Sequence, residues 1–215
     1  MRASVAKYFE YFSAGFEARV PVLYLDIKGL VTTGVGNLVD PMPLALELPW
    51  MHRNTTLDVP ASQAEIINEW NRVKAATAHA TGPTSYWLAT ARLQLNTQAI
   101  DDLVARKAAE FERGLSAYAE FKDFPEWPAD AQLGILSMAW AMGDGGFATF
   151  PHFRAAAAKG DFRGMAAQCY LDTTDNPGLV SRNRANFELF TNASIIVRSK
   201  AFDYDKIVWP TQLPV

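Results

Sequence analysis

Scarcity is the first feature of this chain. Among its 215 residues there is one cysteine and there are three histidines. A lone thiol excludes a disulfide framework within the chain. Cys169, set in an apolar helical stretch, reads as a small buried hydrophobe rather than a nucleophile. His52, His79 and His152 are scattered, with no H-x-x-x-H pair, no C-x-x-C and no G-x-S-x-G elbow, so zinc and serine-hydrolase templates drop out. Positive charge is scarce as well. Twenty Lys and Arg stand against 23 Asp and Glu, a net charge of −3, which is far from the basic footprint of a nucleic-acid binder. Long apolar runs are missing near the start: Lys7, Glu10 and Glu17 interrupt the first segment well short of the ~18 residues a membrane span needs. The expectations are no nucleic-acid partner, no stable membrane insertion and no secretory signal peptide, with synthesis in the cytoplasm.

Nucleotide signatures are incomplete too. Gly34-Val35-Gly36 lacks the third glycine and following helix of a dinucleotide fingerprint, and Gly143-Asp144-Gly145-Gly146 lacks the Lys-Ser/Thr of a phosphate loop. Both read as turns, and no cofactor or metal is expected.

What is present is a core-forming pattern. Hydrophobic residues make up 49% of the chain, enough for one sizeable core or a two-lobed single domain. Val5, Tyr8, Phe9, Phe12 and Phe16 recur at helical spacing, predicting a helix over about 3–17 that Pro21 stops. From Val22 to Val39, β-branched and apolar residues broken by Gly29, Gly34 and Gly36 predict two or three short antiparallel strands. A proline-rich connection follows, and Ser62 and Glu65 open a helix over about 62–80 in a capping-box pattern. Asn96 or Thr97 caps a long helix to about Phe121, with Ile100, Leu103, Val104, Phe111 and Leu115 as its stripe. Residues 129–143 form the most hydrophobic helix, expected at the centre. Shorter helices are expected at about 149–158, 161–170 and 178–191, then an extended tail packed by Phe202, Val208 and Trp209. Mostly helical with one small β element, this is an α+β pattern.

Carboxylates are the best candidates for chemistry. Glycoside cleavage needs one acid kept protonated to donate to the leaving oxygen and a second, ionised one to activate water or stabilise charge at the sugar. Glu17, expected at the end of the aromatic helix, and Asp26, at a strand-to-turn transition beside Gly29, fit those needs. The alternative is a solvated helix-end glutamate and a turn-forming aspartate.

The order Glu17, then Tyr24-Leu25-Asp26-Ile27-Lys28-Gly29-Leu30-Val31-Thr32-Thr33-Gly34-Val35-Gly36, resembles the catalytic stretch of phage-type lysozymes: a glutamate ending the first helix, then Tyr-x-Asp-x-x-Gly-x-x-Thr-x-Gly-x-Gly. Downstream, SMAWAMGDGGFATFPHFRAAAAKGDF is similar to the family's central helix and its Gly-x-x-x-Phe turn, and NPGLVSRNRANFELFTN to its late Asn-Arg-Ala helix. These pieces keep the family's order across residues 8–192. The chain departs from it at Asn37, where the family often has histidine, in a longer and proline-rich 38–95 region, and in its acidic balance.

The resemblance implies a single lysozyme-like domain: a small β-containing lobe at about 18–60, a helical lobe from 1–17 and about 61–200, and the extended tail. It implies a muramidase hydrolysing the β-1,4 bond between N-acetylmuramic acid and N-acetylglucosamine in peptidoglycan. Glu17 would be the general acid, Asp26 the base or electrostatic partner, and Thr32 the holder of the attacking water. Strand side chains alternate between faces, so only one of Thr32 and Thr33 can face Asp26, and the family spacing selects Thr32. Gly36, Asn37, Trp140, Met142 and Arg184 would contact substrate or support the site, Arg184 aligning with an arginine that pairs with the catalytic glutamate. Another aminosugar polymer, chitin or chitosan, or an inactive glycan-binding module are the alternatives. The glycan strand is the expected partner, joined by an immunity or inhibitor protein or a secretion-system carrier if the enzyme is an injected toxin rather than a phage endolysin. Either way it would act at the cell wall.

Overall fold

The computed structural model describes residues 1–53, 58–80, 82–174, 176–199 and 203–210. In chain order the elements are α1 (Ala3–Ala14), β1 (Val20–Leu25), β2 (Val31–Gly34), β3 (Asn37–Leu38), α2 (Pro43–Leu46), β4 (Met51–His52), α3 (Gln63–Ala75), α4 (Thr84–Thr90), β5 (Leu93–Gln94), α5 (Thr97–Leu115), α6 (Ala129–Met142), α7 (Pro151–Ala157), α8 (Phe162–Gln168) and α9 (Leu179–Ser199). The chain is α+β, mostly helical with a small antiparallel sheet. It divides into two compact units, Met1–Phe16 with Ala105–Val215 and Glu17–Val104, and the boundary falls inside α5. The β-containing unit is therefore larger than expected. It takes in α3 and α4, which the expected boundary near residue 60 gave to the helical lobe.

The first unit is organised around α6. Every residue from Ala129 to Ala139 is buried, so this stretch of the helix turns no face to solvent, as its largely apolar sequence dictates. It packs against α1 and α9. Gly134 permits the close approach to α9: a Cβ there would stand 2.9 Å from the Phe190 ring. Gly143 ends the helix at φ +76°, a conformation that costs glycine little. Beyond it, edge-to-face rings fill the unit, with Phe121 on Phe147 at 5.1 Å and Phe153 on Phe190 at 5.3 Å. Helix α9 continues to Ser199, past its expected end near 191.

The tail of this unit is tied by hydrogen bonds. Asp130, fully buried in the first turn of α6, accepts from the Val208 N–H (2.8 Å), the Trp209 N–H (3.0 Å) and the Asn192 amide (2.9 Å). Trp209 also meets Phe12 edge-on at 5.0 Å. Val208 and Trp209 thus hold the tail as expected, while Phe202 lies outside the described residues.

In the second unit β1, β2 and β3 form an antiparallel sheet in that order. Tyr24 stands opposite Thr32, Thr32 opposite Leu38, and Thr33 opposite Asn37. A second ribbon pairs β4 with β5, and the Leu95 N–H donates to the Pro21 carbonyl at 2.8 Å, joining the ribbon's end to β1. Ser62 and Glu65 form the full capping box that starts α3. That helix stops at Ala75, short of the expected 80, and Ile66 and Val73 bury its apolar stripe. Asn96 caps α5, its side chain accepting from the Ala99 N–H at 2.8 Å. The helix ends at Leu115 rather than near Phe121, and all five stripe residues from Ile100 to Leu115 are buried.

Candidate active site

Glu17 lies outside α1, which corrects the sequence expectation. The helix closes at Ala14 because the Gly15 N–H turns to the Phe12 carbonyl (3.1 Å) and the Phe16 N–H to that of Ser13 (3.0 Å), tightening the last turn. Glu17 therefore sits in the bend between α1 and β1, half-exposed.

Asp26 sits where β1 turns. Its Oδ1 accepts from the Lys28 N–H (2.8 Å) and the Leu30 N–H (2.9 Å), and its backbone N–H donates to the Leu30 carbonyl (3.0 Å). The turn is built on this one side chain, an Asx arrangement in which Gly29 takes φ +71°. Oδ2 makes no hydrogen bond among the described residues. One carboxylate oxygen thus shapes the backbone and the other is left to act on something else.

Thr32 converges on the same carbonyl. Its Oγ1 donates to Leu30 O at 3.2 Å, so the Thr32 hydroxyl and the Asp26 amide share one acceptor. Directly opposed residues in an antiparallel pair project to one face, so Thr32 shares its face with Tyr24 and the exposed Leu38. Thr33 points the other way, buried, toward the Val20 carbonyl.

Tyr24, two residues before Asp26, feels both acids. Burial raises its phenol above the ordinary range, and the charges of Glu17 and Asp26 push it further in the same direction. Both carboxylates therefore bear electrostatically on one hydroxyl. That hydroxyl stays protonated, a donor, at any physiological pH.

The turn is gripped from outside the motif. Lys74, on α3, donates to the Gly29 carbonyl (2.9 Å) and to Asp40 Oδ2 (2.6 Å), and Asp40 Oδ2 also accepts from the Val31 N–H (3.2 Å). Burial alone would raise the Asp40 carboxyl. Lys74 and the Val31 N–H outweigh it and hold the group below the usual aspartate range. Trp70 adds a third tie, its Nε1 donating to the Val39 carbonyl at 2.9 Å. The long 38–95 region therefore folds back, through α3, onto the hairpin that carries Asp26. Period-based reading could not find these ties, because Lys74 and Asp40 are 34 residues apart.

The remaining candidates are placed differently. Gly36 is exposed at φ +73° in the β2–β3 turn. Asn37 is only 4% exposed, and its Oδ1 braces that turn by accepting from the Val35 N–H at 3.0 Å. Trp140, half-exposed at the end of α6, packs edge-on against Phe9 (5.3 Å) and Phe111 (5.9 Å), with Met142 two residues on. Arg184 has an 84% exposed side chain, paired with Glu188 at 3.3 Å. Arg182, two residues earlier, is the buried one. It is 1% exposed, donates to Ser137, and lies 4.9 Å over the ring of Phe16, the residue before Glu17. The Asn-Arg-Ala motif points to position 184, and only packing shows that 182 is turned inward. Cys169 is buried, and burial pushes its thiol up to about 12, so it is no nucleophile.

Among the described residues no group of three or more His, Cys, Asp or Glu side chains is gathered as a metal site would need, and no helix is long and apolar enough to cross a membrane. No protein-family model matches the chain, and no curated protein matches it.

Proposed function

We propose that the chain is a lysozyme-type glycoside hydrolase that cleaves the β-1,4 bond between N-acetylmuramic acid and N-acetylglucosamine in peptidoglycan. The observation that supports this reading is that the charges of Glu17 and Asp26 both act on the Tyr24 phenol. Two carboxylates within reach of one point are what glycosidic cleavage requires. The motif resemblance supplies the substrate class.

In this mechanism Glu17, as the acid form, donates its proton to the departing glycosidic oxygen while positive charge develops at the anomeric carbon. Asp26 Oδ2, which carries no hydrogen bond among the described residues, takes a proton from the attacking water. Thr32 and Tyr24, on one face of the sheet, position that water, with the Tyr24 phenol as a fixed donor. Water entering opposite the leaving group inverts the anomeric centre. An immunity protein that occludes the acids is the partner this reading expects if the enzyme is delivered as a toxin.

The test is turbidity loss and reducing-end release on purified peptidoglycan and on chitosan, for the wild type and Glu17→Gln. Activity on peptidoglycan that falls by about 100-fold or more in a folded Glu17→Gln protein is expected. Undiminished activity would move the role to Glu10, and preference for chitosan would replace the substrate. Proton NMR of the first product is expected to show the α-anomer. A β-anomer would rule out Asp26 as the base that activates water.

A further inference from the structure

Within the unit Met1–Phe16 with Ala105–Val215, α8 and α9 leave an open groove of about 780 Å³ between them. Arg163, Ala166 and Ala167 of α8 form one wall, and Phe187, Ile195 and Arg198 of α9 the other. The groove is apolar in effect, because the hydroxyls along it are occupied within their own helix. Thr191 Oγ1 donates to the Phe187 carbonyl at 2.7 Å, Ser199 Oγ donates to the Ile196 carbonyl at 3.1 Å, and Ser194 Oγ accepts from Arg198 at 2.8 Å. Among the described residues no carboxylate lines it. The two arginines gather at one end, since both also border a smaller recess made by the start of α8 and the end of α9. Asp161, in that recess, is committed to the first turn of α8, its Oδ1 accepting from the Gly164 N–H at 2.9 Å. Arg198 is exposed but held: besides its bond to the Ser194 hydroxyl, its Nε donates to the Ser194 carbonyl at 3.0 Å. Two of its five donors thus fix the guanidinium in place, and others remain for a ligand.

The other end is apolar and open to solvent. Phe187 is 41% exposed, and Tyr170, 57% exposed, stands beside it with ring centroids 6.5 Å apart. Val180, about two turns earlier on α9, is exposed as well. Large apolar side chains left in solvent together, rather than singly, mark a contact surface. Phe187 and Arg198 are about 16 Å apart along α9, so the groove is divided lengthwise, with cations at one end and apolar surface over the rest. An amphipathic partner helix carries its charges along its flanks and does not match that division. A molecule with one anionic end and an apolar body does. Arginine and tyrosine beside exposed apolar surface are also what holds a protein at an anionic lipid interface. From these observations we infer that the groove takes an anionic phospholipid at a membrane surface, its phosphate on Arg163 and Arg198 and its acyl chain along Ala166 and Ile195 toward Phe187. The contact is peripheral, made by side chains, and needs no spanning helix. It is independent of glycan cleavage and sets where the protein sits rather than what its acids do.

The experiment is flotation of the full chain with phosphatidylcholine vesicles, prepared with and without phosphatidylglycerol. Binding is expected to be about tenfold or more tighter when phosphatidylglycerol is present. Arg163→Gln and Arg198→Gln should each weaken it about fivefold, and Phe187→Ser should weaken it as well. Arg184→Gln, exposed on the same helix but outside the groove, should leave it unchanged. Equal binding to neutral vesicles, or no loss in the Arg163 and Arg198 variants, overturns the inference. So does a loss in Arg184→Gln as large as theirs, which would mark diffuse charge in place of a site. Sodium laurate, glycerol phosphate and an acidic amphipathic peptide are titrated in parallel by calorimetry. Binding of any of them without vesicle binding overturns the membrane lipid as the occupant, in favour of a free fatty acid, a free phosphate or a protein partner respectively. Reducing-end release on glycan, read separately, bears on the acids alone.

Discussion

Two aspartates do similar work in different parts of the chain and sit on opposite sides of their ordinary ionisation range. Asp40 anchors the hairpin that carries Asp26, and Asp130 anchors the C-terminal tail. Asp40 is held low because Lys74 supplies a counter-charge at 2.6 Å. Asp130 is held high, burial outweighing its neutral donors, the Val208 and Trp209 N–H groups and the Asn192 amide. Hydrogen bonds alone do not fully repay the desolvation of a carboxylate, whereas a close cation can. The hairpin is thus held by a charge pair and the tail by geometry.

The largest expected effect comes from removing the geometric anchor. Asp130→Ala leaves three donors without their acceptor, and unfolding in urea should show a loss of about 3 kcal/mol or more. Protease cleavage near residues 203–210 should accelerate with it. Lys74→Met, which strands a partly buried Asp40, should cost about 1–2 kcal/mol and loosen the Asp26 turn, lowering glycan cleavage by roughly tenfold. A full loss of fold in Lys74→Met would mean the charge pair is more than a local tie.

Acid sharpens the contrast. A carboxyl whose folded value is depressed contributes stability above its unfolded value, near about 4, and loses it as pH falls through the folded value. The advantage of wild type over Asp40→Asn should therefore be present at pH 6 and shrink below about pH 4. Asp130 has the reverse sign: its contribution is complete below the unfolded value and declines as pH rises through the raised folded one. Denaturant midpoints of both Asn variants across pH 3–7 should diverge from wild type in opposite directions, and parallel curves would sink the comparison. The smallest effect belongs to the arginines of α9. Arg184→Met should change stability by less than about 0.5 kcal/mol, as an exposed ion pair implies, whereas Arg182→Met, buried over Phe16, should cost about 1–3 kcal/mol.

Much of this was legible because it is local. The Ser62–Glu65 box, the apolar stripe of α5 and the apolar richness of α6 each express their structure within a few residues. The glycines of the hairpin likewise announce turns. What escaped was set by distant partners. Glu17 leaves α1 because two amides at Gly15 and Phe16 fold back early, which the aromatic stripe through Phe16 disguises. Lys74 reads as one more surface cation until Asp40 and the Gly29 carbonyl are found beneath it. Arg182 and Arg184 carry the same side chain, and only the rotation of α9 makes one buried and the other solvated. The outer boundary of the β unit failed for a related reason: α3 and α4 have ordinary amphipathic patterns, and nothing in them names the sheet as their partner.

The hydrogen bond from Leu95 to Pro21 also bears on how this sheet meets other chains. An open strand edge with free N–H and carbonyl groups invites a stranger to pair with it. Here β1 offers little along that side: Pro21 has no N–H to give, and its carbonyl is already taken by Leu95. The opposite edge, β3, is two residues long. A sheet so bounded is a poor template for aggregation.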